Sequence, residues 1–255
     1  MSDICQTRYP DALRVARPLP GIAPLAPDGW IETDEAYGAQ MARRETLIKD
    51  QRDQVLAYSD ESLDARVEVL ALALELLRTR AGYSVSQRSV SSPDGRIVDL
   101  SGEPLETLGQ LIQEDICILE KPAGGSEHVL SAACLCFPAS WMLSEKIARP
   151  MVAIHEPVDE YDDLIARRVQ RLFDGVQVGR PLWRFNQLWY LDAELHQPRS
   201  AFARSEDVTD RQRNFLRMEK QSLVRLPKTR AVVFSIHTFV LKRENVPEDI
   251  AISRA

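Results

Sequence analysis

Four histidines stand in this chain, at positions 128, 155, 196 and 237. Imidazole is the side chain best suited to carry a proton or a metal near neutral pH. His155 closes the apolar run Met151-Val152-Ala153-Ile154 and is followed by Glu156, Pro157 and an acidic stretch. At that seam, read as a strand meeting a helix start, a neutral ring can bind a metal through one nitrogen. Its other nitrogen then donates to a backbone carbonyl. The plain alternative is a half-buried histidine bonded to nearby backbone. Tyr161, six residues on, either starts the next helix or presents its phenol to the same site. His237 lies in Ser-Ile-His-Thr-Phe, an apolar strand pattern that does not fix its face. His128 and His196 fall near loops and are weaker candidates.

A second group of candidates lies on strand-like segments. Alternation puts Leu216, Met218, Lys220, Ser222 and Val224 on one face. Arg217, Glu219, Gln221 and Arg225 share the other with Phe215 and Leu223. Such a row is either a solvated face or a cavity wall, with Glu219 as acceptor or base and an arginine clamping a carboxylate. In Trp-Arg-Phe-Asn, Arg184 and Asn186 share one face, and Trp183 and Phe185 the other. Cys134 and Cys136 point the same way, but no second pair completes a zinc set, so buried reduced thiols are the expectation.

These residues need elements to hold them. Five of the fifteen prolines lie between positions 10 and 27, which predicts an extended arm. Helices are predicted over 33–59, opened by Thr-Asp-Glu, and over 60–82, ended by Gly82 and facing inward through Leu63, Val67, Val69, Leu70, Leu72, Leu74 and Leu76. Two short strands flank Pro93-Asp94-Gly95. A short helix with Pro104 in its first turn follows, then buried strands in 116–121 and 128–138. A short helix is predicted over 139–150 and a longer one over 159–176. The last third is β: one strand or hairpin over 181–192, then two long strands around Pro227-Lys228-Thr229-Arg230. The sum is an α+β chain whose sheet is antiparallel.

Composition narrows the function classes. With 255 residues, 44% hydrophobic and 27% charged, the chain can bury a substantial core. A formal charge of −6 with no basic block argues against nucleic-acid binding. No run of eighteen apolar residues is present, so no membrane span is expected, and without an apolar leader the expected location is cytoplasmic. The sequence has no glycine-rich phosphate loop, no G-x-S-x-G elbow and no H-E-x-x-H motif, and its 11 glycines carry no dinucleotide fingerprint.

Five blocks, taken together, match a known family. They are LGQLIQEDICIL, CFPASWMLSEKI, IHEPVDEY, LWRFN and LRMEKQSLVRLPKTRAVVFSIHTF, in that order. The chain resembles the alpha-subunit-like family of haem-dependent oxidative N-demethylases over about residues 15–245. The resemblance implies a PAS-like antiparallel sheet that carries haem b, with an N-terminal helical extension. It divides the chain into an arm with helices (1–82), a haem-binding core (83–245) and a tail (246–255), packed as one unit. It implies His155 as the axial ligand to haem iron, in IH-x-P-V-x-x-Y, with Tyr161 closing that block. Glu219 and Gln221 take pocket roles. Arg184, Asn186, Arg217 and Arg225 are assigned to the cofactor, the arginines pairing with propionates.

The sequence departs from the family pattern at Asp159, Lys220, His237 and Phe239. His237 thereby becomes a second candidate ligand or acid–base group. The activity implied is oxidation of an amine or amino-acid-like small molecule, such as oxidative N-demethylation. O2 is then the co-substrate and a separate reductase the electron source. The competing reading is a non-catalytic haem-binding sensor or interaction module, since fold does not fix function.

Overall fold

The computed structural model describes residues 3–14, 21–139, 141–155, 163–200, 213–248 and 250; the side chains of residue 155 and residues 163–167 are outside it. The described part of the proline-rich arm forms a 3-10 turn (Asp11–Leu13) and a two-residue strand, β1 (Ala23–Pro24). Helix α1 (Tyr37–Asp50) starts four residues later than its Thr-Asp-Glu signal, because the Asp34 carboxylate is used at 2.8 Å by the Ala36 N–H. A single turn, α2 (Arg52–Val55), runs into β2 (Leu56–Tyr58), so the predicted long helix ends in a strand.

Helix α3 (Leu63–Leu77) buries Arg66, Val69, Leu70, Ala73 and Leu77. Leu63 and Val67, expected inward, stay about half exposed. The 3.6-residue period selects the stripe containing the small Ala65 and Ala73, which permits closer packing than the leucine-rich side. Gly82 takes φ of 85° after the helix, a backbone region costly for other residues. The stretch around Pro93-Asp94-Gly95 forms a separate three-stranded meander of β3 (Ser84–Val85), β4 (Ser89–Ser91) and β5 (Ile97–Asp99). Helix α4 (Pro104–Gly109) has proline at its start and Glu103 as cap, accepting from the Glu106 N–H at 2.7 Å.

The main sheet follows with β6 (Asp115–Glu120) and β7 (Val129–Cys134). Between these and the last strands lie α5 (Leu143–Lys146), α6 (Met151–His155) and α7 (Asp163–Gly175). The apolar run ending at His155 is thus helical, not a strand end. Among the described residues of the predicted 139–150 helix, only the four of α5 are helical. Strands β8 (Leu182–Tyr190), β9 (Phe215–Arg225) and β10 (Val232–Lys242) complete a seven-stranded sheet of order β1-β8-β9-β10-β6-β7-β2, with every pairing antiparallel.

Register divides this sheet into two faces. Trp183 and Phe185 of β8, Met218, Lys220 and Ser222 of β9, and Ser235, His237 and Phe239 of β10 share one. The arm covers it: Ser235 Oγ donates to Trp30 O and Lys220 Nζ to Gly29 O. The opposite face carries Arg184 and Asn186, the row from Arg217 to Arg225, and Phe234, Ile236 and Thr238. There Leu143, Met151, Phe173 and Val176 pack on Cys117, Leu119, Leu130, Leu223 and Ile236. Because β9 and β10 are central strands, both of their faces are buried, and the Arg217–Arg225 row is not a solvated surface. One core cluster draws residues from both sides of position 82, including Leu47, Val69, Ile116 and Val233.

Candidate functional site

On the arm face His237 is 2% exposed and held from both sides. Its Nδ1 is 2.8 Å from Glu114 Oε1 and its Nε2 is 3.2 Å from Asp34 Oδ2. Burial pushes its pKa down, but the two carboxylates overcome this and raise it to about 10. Asp34 also accepts from Gln113 Nε2 at 2.8 Å and Gln6 Nε2 at 2.6 Å. Burial acts to raise its pKa, yet His237 and these amides bring it below the usual value. The His237 ring is therefore an imidazolium that fastens the arm to β10. With a proton on each nitrogen it has no lone pair to offer a metal. Lys220, its cross-strand partner, is likewise paired with the arm through Glu32. Lys220, His237 and Phe239, three of the departures from the family pattern, thus share the arm face.

The opposite face brings most of the other candidates together. Antiparallel pairing sets Arg184 beside Gln221, Asn186 beside Glu219, and Glu219 beside Thr238. Glu219 is 9% exposed; it accepts from Gln221 Nε2 at 3.1 Å and from Arg217 Nε at 3.4 Å. The rest of the Arg217 guanidinium donates to Leu195 O at 2.9 Å and to Phe137 O. It acts as a brace that ties two chain segments to β9 and orients the Glu219 carboxylate. Arg184 is different. Burial lowers its pKa, only partly offset by the Glu219 charge, and it has no hydrogen-bond or ion-pair partner among the described residues. A desolvated guanidinium without an anion is costly unless a ligand supplies one. The Thr238 hydroxyl, 1% exposed, is also without a partner.

Arg225 lies at the far end of the row and does something else. Its donors go to Val176 O at 3.1 Å, Phe173 O and Arg230 O, so it closes the C-terminal end of α7. Helix α6 packs on this same face through Met151 and Ile154 and ends at His155. The His155 side chain, Tyr161 and Asp159 lie outside the described residues.

Two histidines read as weak candidates are well defined. Gln170 accepts the His128 N–H at 3.2 Å and donates to His128 Nδ1 at 2.8 Å and Asp174 Oδ1 at 3.1 Å. Those three contacts fix the amide orientation and leave the His128 proton on Nε2. Burial lowers the His128 pKa, so the ring is neutral. His196 is held at 2.8 Å from Cys136 O through Nδ1, and its buried Nε2 is without a partner among the described residues. A short segment after a strand gives no periodic signal, and only the carbonyl contact reveals the orientation of that ring. Cys134 and Cys136 are free and buried, as expected. Among the described residues no group of three or more His, Cys, Asp or Glu could hold a bare metal ion, and no helix is long and apolar enough to cross a membrane.

The fold and this face define an α+β protein with a carboxylate–amide–guanidinium wall on β8 and β9, on the same face as the apolar cluster that includes Met151 of α6. The profile of the family described as haem-dependent oxidative N-demethylase, alpha subunit-like, matches residues 21–254. The chain belongs to that family, as the five sequence blocks indicated.

Proposed function

We propose that this chain binds haem b on the opposite face of the sheet and oxidises a small cationic amine there. Family membership supports the class of reaction. The observation that carries the reading is the wall itself, where buried Arg184 makes no hydrogen bond or ion pair among the described residues, while Glu219 is held by Arg217 at 3.4 Å and by Gln221 at 3.1 Å. An amphipathic dianion with a central metal fits such a wall: Arg184 would meet a propionate, and Phe234 and Ile236 would meet the ring. His155 would hold the iron, as the family block implies, with Tyr161 near it.

The chemistry supplied when haem b is bound is activation of O2 and oxidation of the carbon next to an amine nitrogen. For N-demethylation the balanced change is loss of one N–CH3 as formaldehyde. One O2, two protons and two electrons are consumed, and one water forms. No flavin, nicotinamide or iron–sulfur motif is visible in the sequence, so the electrons come from a separate reductase or subunit. Glu219 binds the ammonium group through its carboxylate, and Gln221 and Arg217 fix which oxygen faces it. Asn186, directly across from Glu219, offers a further amide to the same ligand.

The test is expression with haem supplied, followed by an absorption spectrum and by formaldehyde release from methylated amines with a reductase present. A purified chain with no Soret band refutes the reading. Glu219→Gln should leave the haem spectrum intact and raise the KM for a cationic amine by about 10–100-fold, the loss of one charge-assisted hydrogen bond. An unchanged KM removes Glu219 from the site.

A further inference from the structure

Helix α6 spans only Met151–His155, and a helix that short does not hold itself in water. Its neighbours hold it at both ends. At the start, the Met151 N–H donates to His128 O at 3.0 Å and the Val152 N–H to the Glu127 carboxylate at 3.2 Å. Just before it, Ala148 takes φ of 59°, a region that side chains with a Cβ rarely occupy. The Ala148 N–H donates to Leu130 O of β7 at 2.8 Å, and the Leu130 N–H returns a bond to Arg149 O at 3.1 Å. The turn between α5 and α6 is thereby stitched to the sheet.

At the other end stands Lys146, the last residue of α5. Its ammonium donates to Ile154 O, the carbonyl next to His155 in the chain. The residue is 7% exposed and makes no ion pair among the described residues. Glu145 and Arg149 are the charged groups near it, and burial brings its pKa down. A buried ammonium without an anion is costly, and methionine would serve packing alone in the same space. What lysine adds is a donor and a positive charge at the C-terminal end of a helix, where both are favourable. The turn it fastens is the one that ends at His155.

We propose that Lys146 is a positioning residue of the haem site, one that holds the end of α6 and so sets where His155 meets the iron. This rests on the haem reading of the preceding section, with His155 as the ligand. A group that orients a ligand without touching the metal governs affinity and electronic state.

The test compares the full chain with Lys146→Met and Lys146→Arg. Methionine keeps the length and loses the donor and the charge, whereas arginine keeps both. In the haem-free protein, amide exchange over residues 151–155 should be about 10–100-fold faster in Lys146→Met and close to wild type in Lys146→Arg. With haemin added, Lys146→Met should bind it about 10–100-fold more weakly, with a changed electron paramagnetic resonance spectrum of the ferric form. Added imidazole should bring the wild-type spectrum back, which an unfolded chain would not allow. Lys146→Arg should match the wild type, and Lys146→Gln, with a neutral donor, should fall between. Unchanged exchange in Lys146→Met refutes the clamp. An unchanged haemin affinity and ferric spectrum refutes its bearing on the iron. Either result overturns the proposal and leaves the haem reading standing. A wild-type chain that takes up no haemin, or a His155→Ala protein with the wild-type spectrum, overturns the reading beneath it and the proposal together.

Discussion

His237 gives the sharpest physical prediction. The pKa of its ring is about 10 in the folded chain, against 6.5 for an ordinary histidine. The folded state therefore binds more protons than the unfolded state between those values, and its stability falls as pH rises through that window. Below about pH 6.5 the stabilisation is complete; above about pH 10 it is gone. Each pH unit in between is worth about 1.36 kcal/mol, so raising the pH from about 7 to about 9 costs roughly 2–3 kcal/mol. The groups that set this value are Glu114 and Asp34, with Glu32 and Lys220 beside them on the arm face. The assay is urea unfolding of the wild type and of His237→Arg across that range. A guanidinium keeps the charge and does not titrate there, so the variant should have the flatter profile. Equal slopes in the two proteins refute the reasoning. So does a His237 ring whose nitrogen shifts titrate near 6.5.

Three further outcomes are expected. Asp115→Asn removes a buried carboxylate that pairs with fully buried Arg44 at 2.6 Å and accepts the Cys136 and Phe137 N–H groups, so chemical denaturation should show a loss of about 3–5 kcal/mol. Arg225→Ala strips the carbonyls of Phe173 and Val176 of their donor, and thermal unfolding should report a loss of about 1.5–3 kcal/mol, with amide exchange in α7 accelerated. Gly109→Ala would bring its Cβ to 2.5 Å from Cys134 Sγ, and the overpacking should cost about 1–3 kcal/mol in urea unfolding.

The sequence made some of this legible and hid the rest for physical reasons. The alternation of β9, the turn at Pro227–Arg230 and the proline at the start of α4 are local signals, and they appear as read. The face that holds Arg184, Asn186, Glu219 and Gln221 could be guessed strand by strand. The pairing of β9 with β8 and β10 depends on contacts far apart in the chain. The burial of Arg217 was hidden in the same way, since its partners are carbonyls of residues 137 and 195. His237 could not be given a face until β10 was placed between β9 and β6. The five-residue run ending at His155 was too short to separate strand from helix by period. His196 carried no periodic signal at all.

The arm was described above as a cover for one face of the sheet. It also has a place in time. Gln6 bridges to Leu241 in parallel, and its backbone N–H and side-chain oxygen both bond to Val240. A residue early in this sequence thus docks on a strand made more than two hundred residues later, and β10 lies between β9 and β6 at the middle of the sheet. During synthesis α1 and α3 leave the ribosome long before the strands they rest on exist. Folding of the sheet therefore waits for β10, with the slow, long-range closure that such pairing demands. A nascent chain stopped before residue 232 should remain protease-sensitive throughout. Release of the last strand should protect the arm and the central strands together.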